Sequence, residues 1–400
     1  MLADYDIYSG AQRLDRMFIS PIRTVLDKAK AMEDQGLPVV RLLAGEPDFQ
    51  TPEDIKEATV RAIRANCTRY GSNRGQPRLR RAIAQILEKD CRVSYDPETE
   101  IIVTSSGAEA INNALLSFID PGDEVILFTP AFVSYENLVY MCGGKVVAVP
   151  LTLEKNFQLD IDQMEAHITG KTKMIVINNP CNPTGAVYPR TVLEGLSRLA
   201  IKHNLLLFSD EIYNRLTYNG SFSSMASLPN MKERTIVMNG FSKTYAMTGW
   251  RLGYLAADKR LISHIMKIHQ YSTTCSPTFI QEGLADAIFV PGTLDAVERM
   301  IGEFALRRDD IIQGLEKIPG LHFVKPDGAF YVFVNVKDTG LDGDTFARHL
   351  LEEKLVATVP GGALGKGCGD FVRLSFATSR ENIALGLERI REFVAGLEGF

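Results

Sequence analysis

The sequence contains no run of about 18 apolar residues, the length that a helix needs to cross a bilayer, so we expect no membrane span. It also lacks an excess of positive charge. A net charge of −5 argues against nucleic acid as a partner. The N-terminal segment has no basic leader followed by an apolar block, so we expect no signal peptide and a cytoplasmic protein. The six cysteines form no C-x-x-C pair, which favours reduced thiols over disulfides or a zinc site.

Motifs of several common enzyme classes are missing as well. The nearest stretch to a G-x-x-x-x-G-K-[ST] loop, PGGALGKG at 360–367, lacks the final hydroxyl and the spacing. No G-x-G-x-x-G follows an apolar run, and GFSKT at 240–244 has threonine where a G-x-S-x-G elbow needs its second glycine. The six histidines show no H-E-x-x-H or similar spacing, so no metal site is predicted. Hypotheses of a nucleotide triphosphate site, a dinucleotide site or a serine hydrolase therefore lose their main support.

Apolar runs that alternate with helical patterns dominate the chain as far as about residue 290. Seven of them are typical of buried strands, at 101–105, 124–128, 145–150, 174–179, 205–210, 235–240 and 252–257. Continuous apolar strands with helices between them form parallel sheets that are covered on both faces. We therefore predict an α/β fold, with a three-layer α/β/α large domain built on a mostly parallel seven-stranded sheet.

The two ends of the chain are predicted to form a smaller α+β domain. After Pro291, a long helical stretch leads to GAFYVFVNV, another helix, the strand FVRLSF and a last helix. Near the N-terminus, residues 20–36 are typical of a helix that Ser20 caps and Gly36 ends. The predicted division is an N-terminal arm and helix joining the small domain (1–48), a large cofactor-binding domain (49–292) and a small C-terminal domain (293–400).

Polar residues follow the ends of the apolar runs. Asn178 and Asp210 each end a run, and Lys243 lies just beyond another. The carboxyl ends of parallel strands meet at one edge of a sheet, where ligands bind. A helix that starts after a glycine turn is a ready anion site, so Lys243, Arg251 and the amides of SSGAE (105–109) are predicted to form a phosphate-sized pocket. A buried Asp210 beside this pocket would need a cationic partner.

Ten motifs then occur in order along nearly the whole chain: LLAGEPDFQTP, RYGSNRGQPRLRRAI, VTSSGAEAI, PAFVSY, NNPCNPTG, SDEIY, NGFSKTYAMTGWRLGY, GAFY, VPGGALG and FVRLSFATS. Together they resemble the fold-type I, class I/II aminotransferases, which depend on pyridoxal 5′-phosphate. PAFVSY, PCNPTGAV and SKTYAMTGWRLG are especially similar to the subgroup that handles aromatic as well as dicarboxylic amino acids. The resemblance implies an aspartate/aromatic aminotransferase-like enzyme, active as a homodimer with its sites at the interface.

The resemblance also implies roles around the cofactor ring. Lys243 resembles the lysine that forms a Schiff base with the cofactor aldehyde and then moves the proton of the substrate's Cα. Asp210 resembles the aspartate that pairs with the ring nitrogen. Tyr213 and Asn182 match the residues that hydrogen-bond the ring hydroxyl, and Phe132 stands where the family places an aromatic against the ring face.

A second set of residues matches the family's phosphate and substrate ligands. The phosphate set comprises Ser242, Arg251 and the backbone amides of Gly107, Ala108 and Glu109. Tyr70 resembles a tyrosine that reaches the phosphate from the second subunit, and Thr274 is also a candidate to cross that interface. Arg373 resembles the arginine that binds the substrate's α-carboxylate, with Gly45 and Asn182 beside it. A carboxylate clamp shared by amino acid and 2-oxo acid predicts ping-pong transamination, with 2-oxoglutarate as an acceptor.

The sequence leaves the donor and some alternatives open. Some relatives specific for aspartate or prephenate carry a basic residue after the Gly-Ala of the phosphate turn, whereas this chain has Glu109. That difference, with PAFVSY and STTCSPTFIQ, favours an aromatic or broad-specificity enzyme, while aspartate, alanine and kynurenine remain open. A lyase or decarboxylase would use the same Lys, Asp and Arg set. A cofactor-sensing regulator would need a DNA-binding domain, and an oxidoreductase would need the missing glycine fingerprint.

Overall fold

A computed structural model describes residues 8–397. Its helices are α1 (Pro21–Asp34), α2 (Glu53–Arg64), α3 (Pro77–Ile86), α4 (Gly107–Phe118), α5 (Ser134–Met141), α6 (Ile161–Glu165), α7 (Arg190–Lys202), α8 (Lys259–Ser272), α9 (Thr278–Ala287), α10 (Pro291–Leu315), α11 (Gly343–Lys354) and α12 (Arg380–Ala395). Its strands are β1 (Val40–Arg41), β2 (Ile101–Thr104), β3 (Glu124–Thr129), β4 (Lys145–Pro150), β5 (Thr172–Asn178), β6 (Leu206–Asp210), β7 (Thr235–Gly240), β8 (Gly253–Ala256), β9 (His322–Phe323), β10 (Tyr331–Asn335), β11 (Val356–Ala357), β12 (Val359–Pro360) and β13 (Phe371–Ser375). Among the described residues, no helix is long and apolar enough to span a bilayer.

Seven strands form the central sheet, in the order β2-β8-β7-β6-β5-β3-β4. The strands from β3 to β7 pair in parallel, whereas β8 runs antiparallel to both of its neighbours, β2 and β7. Each of the seven strands falls on one of the apolar runs that predicted it. The predicted α/β fold with a mostly parallel seven-stranded sheet is therefore confirmed.

Helices cover both faces of this sheet because successive side chains of a strand point to opposite faces. Along β5, Met174 and Val176 pack in a buried cluster with α4, α5 and α8. Ile175 and Ile177 pack on the other face, with α7. A strand that is buried on both sides needs apolar residues at consecutive positions, which explains the continuous apolar runs of the sequence.

A second, smaller sheet has the order β12-β13-β10-β9 and is antiparallel throughout. Helices α10, α11 and α12 pack against it in a cluster that contains Phe304, Phe346 and Phe393. Val40 belongs to the same cluster, and its strand β1 pairs in parallel with β11. The segment that follows α1 thus joins this smaller α+β unit. The domain boundaries near residues 49 and 293 stay a prediction, and residues 1–7 and 398–400 lie outside the described part.

The N-terminal helix differs from its prediction in two details. Helix α1 ends at Asp34, and Gly36 follows with a φ of +84°. Pro21 opens the helix as expected, but the side chain of Ser20 makes no capping hydrogen bond. Ile22 and Leu26 pack against a buried cluster that joins the α7 face of the central sheet to side chains of the smaller unit. Tertiary packing of an apolar face therefore holds this helix, as it holds most helices in proteins.

The topology collects the predicted site residues at one edge of the central sheet. Strand β5 ends at Asn178 and β6 ends at Asp210, next to each other in register. The end of β7 at Gly240 leads to Lys243 at the same edge. Because β8 runs in the opposite direction, its start lies at this edge too, which brings in Arg251 just before it.

Candidate active site

A pocket of about 320 Å³ lies at this edge, between the central sheet and the smaller unit. Its size falls in the range typical of small-molecule sites, roughly 300–1,000 Å³. The predicted site residues that line it are Gly45, Gly107, Ala108, Phe132, Asn182, Asp210, Tyr213, Ser242, Lys243, Arg251 and Arg373. Three predicted residues do not line it in this chain: Tyr70, Glu109 and Thr274.

Lys243 lies in the turn that follows β7, and its Nζ donates a hydrogen bond to the carbonyl oxygen of Gly45. Burial, together with the positive charges of Arg373 and Arg251, lowers the pKa of Lys243 to about 8, while Glu46 and Asp210 act in the opposite direction. A lysine of this lowered pKa loses its proton much closer to physiological pH than an ordinary lysine and then supplies a neutral amine. Such an amine is both a nucleophile and a base.

Asp210 ends β6 with a side chain that is almost fully buried. The Oη of Tyr135 donates to its Oδ2, and the amide of Ile212 donates to its Oδ1 at 3.1 Å. Burial raises the pKa of Asp210 to about 6 against the effect of these donors. None of the ion pairs formed within residues 8–397 involves Asp210. Its carboxylate is therefore available to a cationic group of a ligand.

The start of α4 also lines the pocket. The first amides of a helix have no acceptor within the helix, so Gly107 and Ala108 present a site for an anion. Glycine is required at position 253, where β8 passes directly behind this helix start, because a Cβ added there would come within 2.9 Å of the Gly107 nitrogen. Ser242 and Arg251 line the same pocket, and Arg251 Nη1 donates to the carbonyl oxygen of Thr248 at 3.0 Å.

Arg373, on β13, closes the pocket from the side of the smaller unit. It is 3% exposed, and its two terminal nitrogens donate to Asn182 Oδ1 at 3.0 Å and to the Leu43 carbonyl oxygen at 3.1 Å. Its Nε has no hydrogen-bond partner, and no carboxylate of the described residues pairs with it. The guanidinium lies 4.4 Å from the ring centroid of Tyr331, whose Oη lies 3.1 Å from that of Tyr213. A buried cation without a carboxylate is suited to an anionic ligand.

Several lining residues had no role assigned from the sequence: Ile22, Leu26, Tyr135, Asn178, Thr248 and Tyr331. Tyr135 and Tyr331 do lie inside recognised motifs, PAFVSY and GAFY. The motifs gave their positions, but only the fold shows that Tyr135 reaches Asp210 and that Tyr331 stacks on Arg373.

The three predicted residues that do not line the pocket differ in their surroundings. Tyr70 is 89% exposed, and Thr274 is also exposed. The side chain of Glu109 accepts hydrogen bonds from the Ser105 amide and from His269 behind the helix. Within residues 8–397, no cluster of His, Cys, Asp and Glu is arranged to hold a metal ion.

Comparison with known proteins identifies the class to which this fold and site belong. The family described as "Aminotransferase class I and II" matches residues 38–390, and the chain belongs to that family. It is 43% identical over 383 residues to an aspartate aminotransferase of Pyrococcus abyssi, and the alignment covers 96% of this chain and 97% of the relative. It is 40% identical over 383 residues to aromatic-amino-acid aminotransferase 2 of Thermococcus litoralis, with the same coverage of 96% and 97%.

Solved structures give the same result. The aspartate aminotransferase of Thermus thermophilus with maleate superposes with a TM-score of 0.92 at 40% identity, over 96% of this chain and 99% of that one. The aromatic aminotransferase of Pyrococcus horikoshii superposes with a TM-score of 0.88 at 42% identity, over 92% and 98%. The protein is thus a pyridoxal 5′-phosphate-dependent aminotransferase, which transfers an amino group between an amino acid and a 2-oxo acid.

The pocket fits this cofactor on its own chemistry. Pyridoxal phosphate carries an aldehyde, a basic ring nitrogen and a phosphate. The pocket offers a lysine of lowered pKa, a buried carboxylate without an ion-pair partner, and a helix start with Arg251 beside it. The Nε of Arg373, which lacks a hydrogen-bond partner, remains as a further donor for an anionic ligand.

Proposed function

We propose that Lys243, Asp210 and Arg373 carry transamination in this pocket, together with phosphate ligands at the start of α4. One observation supports this assignment above the others: all three groups line one pocket, Asp210 and Arg373 almost fully buried and Lys243 partly buried, and none has an ion-pair partner within the described chain. Burying unpaired charges is costly, so their retention points to a ligand that pairs with each of them. When bound, the cofactor supplies an aldehyde that condenses with amino groups and a ring that withdraws electrons from the substrate's Cα.

Lys243 would act twice, first holding the cofactor aldehyde and then moving the proton of the substrate's Cα. A pKa of about 8 suits this second role because general bases work best near the operating pH. Asp210 would hold a proton on the ring nitrogen, with Tyr135 and the Ile212 amide fixing its two oxygens. Asn182 and Tyr213 would orient the ring through its hydroxyl, and Phe132 would cover one ring face.

Arg373 would bind the α-carboxylate that both substrates share. Asn182 Oδ1 and the Leu43 carbonyl oxygen already hold two of its nitrogens, which fixes the plane of the guanidinium. A fixed planar fork matches a carboxylate and places the Cα beside Lys243. Gly45, which has no side chain, would let the neighbouring backbone approach the same carboxylate. Its carbonyl oxygen accepts the hydrogen bond from Lys243.

We propose that the preferred amino donors are aromatic or otherwise apolar. Lys243, Arg251 and Arg373 are the cationic residues among the described residues that line the pocket, and each has a role above. Helix α1 contributes the apolar side chains of Ile22 and Leu26 to the lining. Aspartate is the second candidate, because the relatives above include aspartate aminotransferases of similar identity. With 2-oxoglutarate as acceptor, we expect kcat/KM to be higher for L-phenylalanine or L-tyrosine than for L-aspartate; the reverse order would favour aspartate.

We further propose a cytoplasmic homodimer. Tyr70, at 89% exposure, and Tyr271, at 88%, are large side chains that a partner subunit would cover. The six cysteines are all free, which suits a reducing compartment. Tyr70 would then complete the phosphate site of the second subunit, with Thr274 near the same interface.

The first test is the visible absorption of the protein with pyridoxal phosphate, before and after L-glutamate or L-phenylalanine is added. The wild type should show a band that shifts with an amino donor. Lys243→Ala should lack that band and lose transamination, whereas Lys317→Ala, at an exposed lysine, should behave as the wild type. A Lys243→Ala enzyme that kept most of its turnover would contradict the assignment.

A further inference from the structure

A buried ion pair lies behind the helix start that would receive the cofactor phosphate. Glu109 is in the first turn of α4, and His269 is near the end of α8. His269 is fully buried, and its Nδ1 lies 2.7 Å from Glu109 Oε1. Neither side chain lines the pocket. The roles assigned above do not use this pair.

The hydrogen bonds of His269 define its charge. One ring nitrogen faces the Glu109 carboxylate, and the other, Nε2, lies 2.7 Å from the carbonyl oxygen of Asn73. These two partners, the nearest to each ring nitrogen, are acceptors; Asn113 Nδ2 also lies 3.4 Å from Nδ1, but its shorter contact, at 2.9 Å, is with Glu109 Oε1. A neutral imidazole has only one N–H to donate. The imidazolium form is the one that donates to both.

Glu109 is held in its ionised form. The Ser105 amide donates to Oε2, and Asn113 Nδ2 donates to Oε1 at 2.9 Å. Burial acts to raise the pKa of Glu109, but the hydrogen bond and charge of His269, with the Ser105 amide, bring this pKa below its usual value. The pair therefore consists of two charges that cancel each other inside the protein.

Glu109 and His269 lie close enough to the start of α4 that a net charge on this pair would affect a phosphate bound there. A carboxylate in the first turn of a helix interacts with the same helix dipole that favours a bound anion, and it repels that anion. The contact from Glu109 to Ser105 also holds the residue before the Ser106–Ala108 turn, which lines the pocket. A neutralised Glu109 can anchor this turn without opposing the phosphate.

The same cluster reaches the segments proposed to face a partner subunit. Asn73, whose carbonyl oxygen accepts from His269, lies three residues after Tyr70. Its Nδ2 donates to the carbonyl oxygen of Thr274 at 2.8 Å. The Oγ of Ser105 donates to that of Ser276 at 3.2 Å. The turn at the phosphate end and the two exposed segments are thus tied to one buried pair.

We propose that His269 is a positioning residue for the cofactor phosphate: its imidazolium neutralises Glu109, so that the carboxylate can anchor the Ser105–Ala108 turn without repelling the phosphate. This inference rests on the proposed function, because it takes the start of α4 as the phosphate site. It differs from a purely structural role in one respect. Loss of His269 should weaken binding of a ligand that carries a phosphate more than binding of the same ligand without one.

The experiment compares the affinity of the apoenzyme for pyridoxal phosphate and for pyridoxal. His269→Gln should weaken pyridoxal phosphate binding on the order of tenfold, a size typical of one charge at a helix N-terminus, with little change for pyridoxal. The double variant Glu109→Gln/His269→Gln removes both charges and should recover most of the loss. His264→Gln, at an exposed position on the same helix, is the matched control and should bind both ligands as the wild type does.

Each outcome decides the proposal. Equal losses for both ligands, unchanged binding of both, or a double variant no better than His269→Gln would overturn it. If His269→Gln does not fold, the double variant, which buries no unpaired charge, must bind pyridoxal phosphate nearly as the wild type does, and failure to do so also overturns it. A wild type that binds pyridoxal phosphate no better than pyridoxal would instead refute the phosphate site of the proposed function.

Discussion

Lys243 and Asp210 are buried groups whose pKa values move towards each other, to about 8 and about 6. Burial is the main cause in both cases, because it disfavours the charged form of each group. Both groups are therefore charged mainly in the window between these two values. Above this window Lys243 becomes neutral and can act as a base, and below it Asp210 becomes neutral. A single pocket can therefore hold both a base and an ion-pairing carboxylate near neutral pH.

The reactivity of Lys243 in the apoenzyme should follow this pKa. Below pH of about 8 the amine is an unreactive ammonium, and above it the neutral amine dominates. The rate of reductive methylation at Lys243, measured by mass spectrometry, should therefore rise with a midpoint near pH 8. The unfolded protein should show a midpoint of about 10.4, the ordinary value for lysine.

A substitution nearby tests the cause of the shift. Arg373→Gln removes a positive charge that lowers the pKa of Lys243, so the midpoint should move upward. Arg380→Gln is the control, since Arg380 pairs with Asp310 outside the pocket. A midpoint for Lys243 in the folded wild type near the unfolded value would contradict the buried, electropositive setting described here.

Motifs placed Asp210, Lys243 and Arg251 near strand ends, and the structure brings these three residues into one pocket, while their roles stay a prediction. The sequence did not predict contacts that depend on packing between distant segments. Tyr135 reaches Asp210 across 75 positions, and Tyr331 meets Tyr213 across 118. The sequence also gave no sign that the Glu109 side chain pairs with His269, because no local pattern joins residues 160 positions apart.

At the scale of elements, helix α9 supports the loop that carries Tyr70. Thr278 Oγ1 donates to the carbonyl oxygen of Cys67 at 2.6 Å, and Gln281 Oε1 accepts from the Gln76 amide at 2.7 Å. Helix α9 packs closely on α2 because Gly283 has no side chain. A Cβ at Gly283 would lie 2.5 Å from the Cα of Thr59. Helix α9 therefore holds both ends of the exposed loop, and its own position depends on the close packing with α2.

Gly283→Ala should push α2 and α9 apart and destabilise the protein by about 1–3 kcal/mol, as overpacking does. Gly302→Ala is the matched control on α10, where nothing lies within 4 Å of an added Cβ. There the higher helix propensity of alanine should stabilise by about 0.5–1 kcal/mol. Urea denaturation midpoints at equal protein concentration measure both effects. A Gly283→Ala protein as stable as the Gly302→Ala protein would refute the close packing.

The elements themselves were largely predictable, but their directions were not. Apolar runs located all seven strands, because a strand buried on both faces leaves a plain signal. The antiparallel direction of β8 left no such signal, since its run is as apolar as those of its parallel neighbours. Strand β1, only Val40–Arg41, is ordered by its pairing with β11 far along the chain. Sequence periodicity determines whether a segment is a helix or a strand, and long-range pairing determines the direction of a strand in its sheet.

For the whole molecule, the question is which pocket Tyr70 serves: that of its own chain or that of a second subunit. Tyr70 does not line the pocket of its own chain and is 89% exposed. The proposed homodimer would bring it to the pocket of the second subunit. Variants that lack different parts of one site then become complementary, because Lys243 would act within its own chain and Tyr70 would act across the interface.

Mixing Lys243→Ala and Tyr70→Ala subunits tests this arrangement. In a mixed dimer, one site would lack both residues. The other site would have both, because the Tyr70→Ala subunit supplies Lys243 and the Lys243→Ala subunit supplies Tyr70. Random assembly of equal amounts makes half of the dimers mixed, so about one quarter of all sites should regain wild-type turnover. The measurement is transamination after the two variants are co-refolded, with each variant refolded alone as a control. If Tyr70 served its own pocket, every site of the mixture would lack one residue, and activity would not exceed that of Tyr70→Ala diluted by half.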